Sequence, residues 1–170
     1  MREKVKAQSG HFLMMSGHSM KKSNWFLLAM FLCFSQACSE PPTPEEAFQA
    51  GRCALEFCQI TFSQKKMTAG YALLSPNTKR DISQADFEEI MKQLHPDGFP
   101  TKFKAVEYEK LEGKSMMDIY LIAERGNKKF YYRVTLKGTP DTGYSVNEVY
   151  RSIDVIPSFG SRHKIQPPLH

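Results

Sequence analysis

MMDIYLIAERGNKKFYYRVTLK, residues 116–137, decides the fold. Apolar side chains alternate with polar ones on both sides of Gly126-Asn127, a pair that closes tight two-residue hairpins. A turn there pairs Arg125 with Lys128, and therefore Leu121 with Tyr132, Ile119 with Val134 and Met117 with Leu136. All six of these inner partners are large and apolar, so one face of the hairpin is core. On the other face Tyr120 opposes Arg133 and Asp118 opposes Thr135, a mixed set expected to lie in solvent. A slip of one residue would turn the apolar set outward, so the pattern specifies its own register.

The alternation continues in both directions. Upstream, a strand over about 102–111 joins one over 115–124 through Glu112-Gly113, which brings Tyr108 and Val106 onto the core face. Downstream, a longer loop around Pro140, Gly138–Gly143, leads to a strand over 144–153. There Val146 and Val149 differ in parity, which predicts a bulge and leaves the register open.

Before Thr101 the period is helical. Thr43 as N-cap, Pro44 at the first helical position and Glu46 three residues on form a capping box. The stripe Phe48, Gly51, Leu55, Cys58, Phe62 predicts a long helix to about Gln64, with Gly51 marking a close crossing. Met67–Leu74 reads as a second helix stopped by Ser75-Pro76, and Asn77–Ile82 as a polar link. Ser83 and Asp86 open a third helix that buries Phe87, Ile90, Met91 and Leu94, and His95-Pro96-Asp97-Gly98 is a turn. Three helices followed by a four-stranded meander give an α+β domain over 44–153, with N-terminal helices packed on one face of a curved antiparallel sheet. Residues 154–170 have three prolines and no periodicity, and read as a disordered tail.

Ahead of the domain lies MKKSNWFLLAMFLCFSQACS, residues 20–39. Lys21 and Lys22 precede a ten-residue apolar run, Trp25–Phe34, and small residues follow. That is the layout of an export signal, and the run is about half the roughly 20 residues a membrane-spanning helix needs. Residues 1–37 are therefore expected to be a signal segment, with Met20 an alternative start and 1–19 an over-extended reading frame. Ser35-Gln36-Ala37-Cys38 resembles the lipobox of bacterial lipoproteins, although Ser35 stands where that family usually has Leu. The resemblance implies a lipid on Cys38 and a tether over 38–43, and Ser39 resembles the outer-membrane sorting pattern. Ordinary cleavage after Ala37, giving a soluble periplasmic or secreted protein, is the alternative.

The formal charge of +5 belongs mostly to that signal. Residues 1–37 carry five of the 23 basic residues and one of the 18 acidic ones, leaving 18 against 17. A nucleic-acid surface needs a concentrated excess of positive charge, so that class is set aside. After cleavage Cys38, Cys53 and Cys58 remain. On one continuous helix, residues five apart sit about 7.5 Å apart along the axis and point well apart around it, which a disulfide does not tolerate. Two free thiols at Cys53 and Cys58 are expected, with a disulfide that breaks the helix near Gly51 as the oxidising-compartment alternative. No Cys/His spacing suits a metal, and no cofactor is expected.

The long helix from Glu45, the helix end Tyr71-Ala72-Leu73-Leu74-Ser75-Pro76, the restart Ile82-Ser83…Phe87 and the meander ending in Val146–Ser152 resemble the nuclear transport factor 2-like (cystatin-like) fold. More narrowly, they resemble small bacterial lipoproteins of unknown function with that fold. The resemblance implies a sheet rolled around helices with a conical pocket, and a fold that hosts enzymes, binding modules and assembly parts alike.

An enzyme of this fold would need an acid or base on the inner sheet face. The inner candidates are Tyr108, Tyr132 and, depending on the last strand's register, Tyr150. Asp118 falls on the other face and His95 in a turn, so catalysis is not expected. A small apolar ligand would be met by Tyr71, Tyr108, Met117 and Tyr132. A partner protein, or a second copy through the sheet face, would be met by Tyr120, Tyr131 and Arg133. The sequence thus points to a non-enzymatic envelope lipoprotein with a binding or interaction domain.

Overall fold

Thr43 caps the first helix in the computed structural model, which describes residues 42–111, 115–158 and 160–167, all within the unit Ser39–His170. Its hydroxyl accepts from the Glu46 amide, and the Glu46 carboxylate accepts from the Thr43 amide at 2.6 Å. Helix α1, Pro44–Cys58, runs into one π-helical turn, Gln59–Ser63, where the Gln64 amide donates to the Gln59 carbonyl. Helices α2 (Met67–Ala72), α3 (Pro76–Asp81) and α4 (Gln84–Gln93) follow. The strands are β1 (Lys102–Lys110), β2 (Met116–Arg125), β3 (Lys128–Thr139), β4 (Gly143–Ser152) and β5 (His163–Lys164). They form one antiparallel sheet in the order β4-β3-β2-β1-β5. The architecture is α+β.

The central hairpin has the expected register. Arg125 pairs with Lys128, Leu121 with Tyr132, Ile119 with Val134 and Met117 with Leu136. Gly126 supplies a positive φ of 57° at the first loop position. The predicted bulge in the last strand lies at Asn147: Leu136 pairs with Val146 and Thr135 with Glu148. Val146 is thereby buried while Val149 still faces the core opposite Val134. The bulge is also an anchor. The Ser75 amide donates to the Val146 carbonyl, the Val146 amide to the Leu73 carbonyl, and the Thr78 hydroxyl to the Asn147 carbonyl.

Several expectations are corrected. The first helix does not stay α-helical to Gln64. On an α-helix Phe57 and Phe62 would point about 140° apart, whereas the π turn sets both rings in the core, edge to face at 6.1 Å. Its buried stripe is Ala47, Ala50, Gly51, Ala54, Phe57 and Cys58, so Phe48 and Leu55 are only half-buried. Small side chains let the helix lie close to the sheet. Gly51 does mark a close crossing, since a Cβ there would sit 3.0 Å from Ile165 Cδ1 and 3.8 Å from Ala105 Cβ.

The predicted polar link after Pro76 is helix α3, capped by Ser75, whose hydroxyl accepts from the Thr78 amide. Strand β1 pairs Tyr108 with Ile119, then shifts at Val106, so Ala105 and Phe103 take the core positions expected of Val106. Tyr150 lies opposite Arg133 on the outer face and is exposed, because the bulge reverses its parity. The loop residues Glu112-Gly113, residues 1–37 expected to be a signal segment, and Cys38 lie outside the described residues.

The tail differs most from its expectation. Proline content argued for disorder, but Ser158 and Arg162 lie against Glu109, Glu107 and Tyr120 on the outer face of β1 and β2, and His163–Lys164 add β5 beside β1. Ile156 is buried, and the Ile165 amide donates to the Val106 carbonyl. The sheet has five strands rather than four because this strap caps the β1 edge.

Candidate functional site

His95, read as a turn residue, is buried at the end of α4 against the inner sheet face. The turn exists, with the Gly98 amide donating to the His95 carbonyl, but it aims the imidazole inward. Nδ1 lies 2.8 Å from the Met91 carbonyl and therefore carries the proton. Nε2 is then an acceptor and takes the Tyr132 hydroxyl at 2.7 Å. Phe62 and Phe99 flank the ring at 4.5 and 4.9 Å. Arg151, paired across the strands with Tyr132, donates to the Leu94 carbonyl at 2.6 Å and lies over Phe130 at 4.3 Å.

Burial drives His95 below its ordinary pKa against the opposing hydrogen bond that it donates to the Met91 carbonyl, and the Arg151 charge adds to the drop. Burial likewise pushes the Tyr132 phenol far up, with Arg151 partly opposing it. A neutral imidazole and a neutral phenol thus hold each other. His95 stands four residues after Met91, just past the C-cap Leu94, and no local signal marks it as buried beneath Tyr132.

Of the residues proposed for an apolar ligand, Met117 and Tyr132 are buried in the core and Tyr71 and Tyr108 pack against it. The Tyr71 hydroxyl donates to the Ile82 carbonyl at 3.0 Å, and Tyr108 lies beside His163 at the sheet edge. An open groove of about 540 Å³ lies elsewhere, on α1, lined by Gln49, Arg52, Cys53, Leu55, Glu56 and Gln59.

The outer face carries a second polar cluster. Tyr120, expected to be an accessible interface residue, is buried under the strap. Its hydroxyl donates to Glu109 Oε2 at 2.7 Å, and the same oxygen accepts the Ser158 hydroxyl at 3.0 Å. The Arg162 guanidinium covers the Tyr120 ring at 3.6 Å and meets Glu107 at 3.3 Å. Burial, and then the hydrogen bond to Glu109, push the Tyr120 phenol up to about 12. The expected solvated pair Asp118 and Thr135 is also buried, with the hydroxyl donating to Oδ1 at 2.6 Å. Desolvation raises the Asp118 carboxyl above its usual range despite that bond and Arg133. Arg133 is 3.7 Å from Asp118 and 3.3 Å from Glu148, and Tyr131 beside it is half-buried.

Cys53 and Cys58 are free, Cys58 fully buried and Cys53 partly so. Among the described residues no group of His, Cys, Asp and Glu is arranged to hold a metal ion, and no helix is long and apolar enough to cross a membrane. No family model, no curated protein and no solved structure matches the chain.

Proposed function

We propose that this chain is an exported bacterial envelope lipoprotein, anchored through Cys38, whose domain is a non-enzymatic interaction module of the nuclear transport factor 2-like class. The observation that carries the module reading is the His95–Tyr132 pair. The acid–base groups of the inner face have their reactive atoms engaged with each other and with the Met91 carbonyl. Neither presents a lone pair or a proton to an open pocket, as a general base must. The outer face, by contrast, seats an extended peptide segment through an arginine, a serine and an edge strand. That is how a sheet recognises protein chains.

The fold assignment is supported by the order of helices and then an antiparallel meander, with α1 lying against β1, β2, β3 and β4. The anchor is supported by the lipobox-like Ser35-Gln36-Ala37-Cys38. Five residues, Ser39–Thr43, separate Cys38 from α1, enough chain for at most roughly 18 Å of reach. Mass spectrometry of the mature N-terminus tests the anchor: a diacyl or triacyl mass on Cys38 is expected, and an unmodified Cys38 would overturn it. Chemical cross-linking on envelope fractions tests the module. A cross-linked species lost in Tyr131→Ala and Arg133→Ala is expected, and its absence in the parent chain would reject the reading.

A further inference from the structure

We infer that the C-terminal residues 156–158 and 160–165 form an exchangeable ligand, and that the outer sheet face binds the same residues of a second copy in a swapped dimer. The inference rests on the interaction-module reading and names its partner.

The face is built for this segment. Glu107, Glu109 and Tyr120 present two carboxylates and a phenol ring on neighbouring strands. The segment answers each group: Arg162 covers the Tyr120 ring and pairs with Glu107, and Ser158 donates to Glu109. A Cβ at Gly160 would lie 2.6 Å from Glu109 Oε1, so a side chain there would have to displace the carboxylate that receives Ser158. It is also shaped in advance. Arg162 donates to the Ile156 carbonyl, and the Gly160 amide donates to the Ser158 hydroxyl.

Its attachment favours exchange. The strand it adds is two residues long, pairing Glu107 with Lys164 and Tyr108 with His163. The stretch leading into it leaves two large apolar side chains in solvent, Ile153 at 70% and Val155 at 65% exposure. In a reciprocal exchange the two linkers cross beside each other and cover these residues, while every contact of the strap is reproduced on the partner by identity. Closure within one chain has an effective concentration on the order of millimolar, so exchange is concentration-driven.

Charge reversal separates the two arrangements in the full domain. In Glu107→Arg the site repels its own Arg162, and in Arg162→Glu the tail repels its own Glu107. Mixed together, each tail meets an opposite charge only on the other copy. Light scattering after sizing is expected to show the equimolar mixture dimerising at a concentration at least tenfold below either variant alone. The doubly reversed chain, which restores the pair internally, is expected to behave as the parent. A mixture no more dimeric than its components would overturn the exchange. If the doubly reversed chain nonetheless regains the melting temperature each single variant loses, the strap closes only within one chain, and the module reading still stands on its cross-linking test.

Discussion

The Tyr132 hydroxyl and His95 Nε2 meet at 2.7 Å beneath Phe62 and Phe99, and the bond requires a neutral imidazole. Protonation would set an Nε2–H donor against a phenol that must then turn its own proton away. The Arg151 charge nearby opposes the cation further.

Acid is therefore expected to weaken the domain through His95. Its folded pKa lies below the unfolded value near 6.5, so the unfolded chain takes up the proton first. Stability is fully present above about pH 6.5 and falls by up to about 1.4 kcal/mol per pH unit below it, until the folded pKa is reached. Urea midpoints between pH 7.5 and 5 measure this, and His95→Gln should flatten the slope. Asp118, raised in the folded state, works in the opposite sense, since its protonation as pH falls through its folded value favours folding. A parent slope equal to that of the Gln variant would show that His95 is not responsible.

Tyr132→Phe removes the hydroxyl and leaves Nε2 buried without a partner. A loss of about 1–3 kcal/mol is expected, with the His95 titration moving toward its ordinary value if water enters. Equilibrium denaturation and the imidazole NMR shift read the two effects separately.

Gly70 faces Thr61 in the π-helical turn: a Cβ there would lie 2.2 Å from Thr61 Oγ1 and 3.1 Å from its Cβ. Gly70→Ala should cost about 1–3 kcal/mol by overpacking. Thr61→Ala in the same chain should return most of that loss. The Thr61 hydroxyl is buried with no hydrogen-bond partner among the described residues, so removing it breaks no bond seen there. Additive effects of the two substitutions would contradict the contact.

The central hairpin was readable because the inner pairs Met117–Leu136, Ile119–Val134 and Leu121–Tyr132 are all large and apolar, and Gly126-Asn127 is a tight-turn pair. The bulge at Asn147 was readable because Val146 and Val149 conflict in parity. The shift at Val106 was not, since Ala105 and Val106 are both acceptable core residues and the choice rests on the neighbouring strand. The π turn was hidden because Cys58 and Phe62 satisfy α-helical spacing, and only the pairing of Phe57 with Phe62 requires the wider turn. His95 and the tail were misread for one reason: their burial comes from distant segments. Nothing local tells that Tyr132 lies above His95, or that Arg162 returns to cover Tyr120.

The two thiols should differ in reactivity despite sitting on one helix. Desolvation, with Glu56 adding to it, pushes Cys53 up to about 11, and full burial pushes Cys58 further. The thiolate is the reactive form, so at pH 8 in the native state alkylation should be slow at Cys53 and slower still at Cys58. Both should react at once in urea. Peptide mass spectrometry over time follows each site, and rapid native labelling of Cys58 would contradict its burial.

Gly160→Ala tests the strap from its tightest point. The added Cβ would lie 2.6 Å from Glu109 Oε1, while Oε2 of the same carboxylate holds both Tyr120 at 2.7 Å and Ser158 at 3.0 Å. The carboxylate cannot swing clear without giving up one of these bonds, so the strap should yield instead. Hydrogen exchange at the Ile165 amide, which donates to the Val106 carbonyl, is the direct reading and should quicken. Glu109→Asp, shorter by one methylene, should restore protection in the Ala variant while weakening the parent. Gly126→Ala is the control, because there a Cβ meets nothing within 4 Å and only the positive φ resists it. Its loss of about 1 kcal/mol should leave Ile165 exchange unchanged. If Gly160→Ala also leaves that amide protected, Glu109 is not the point on which the segment closes.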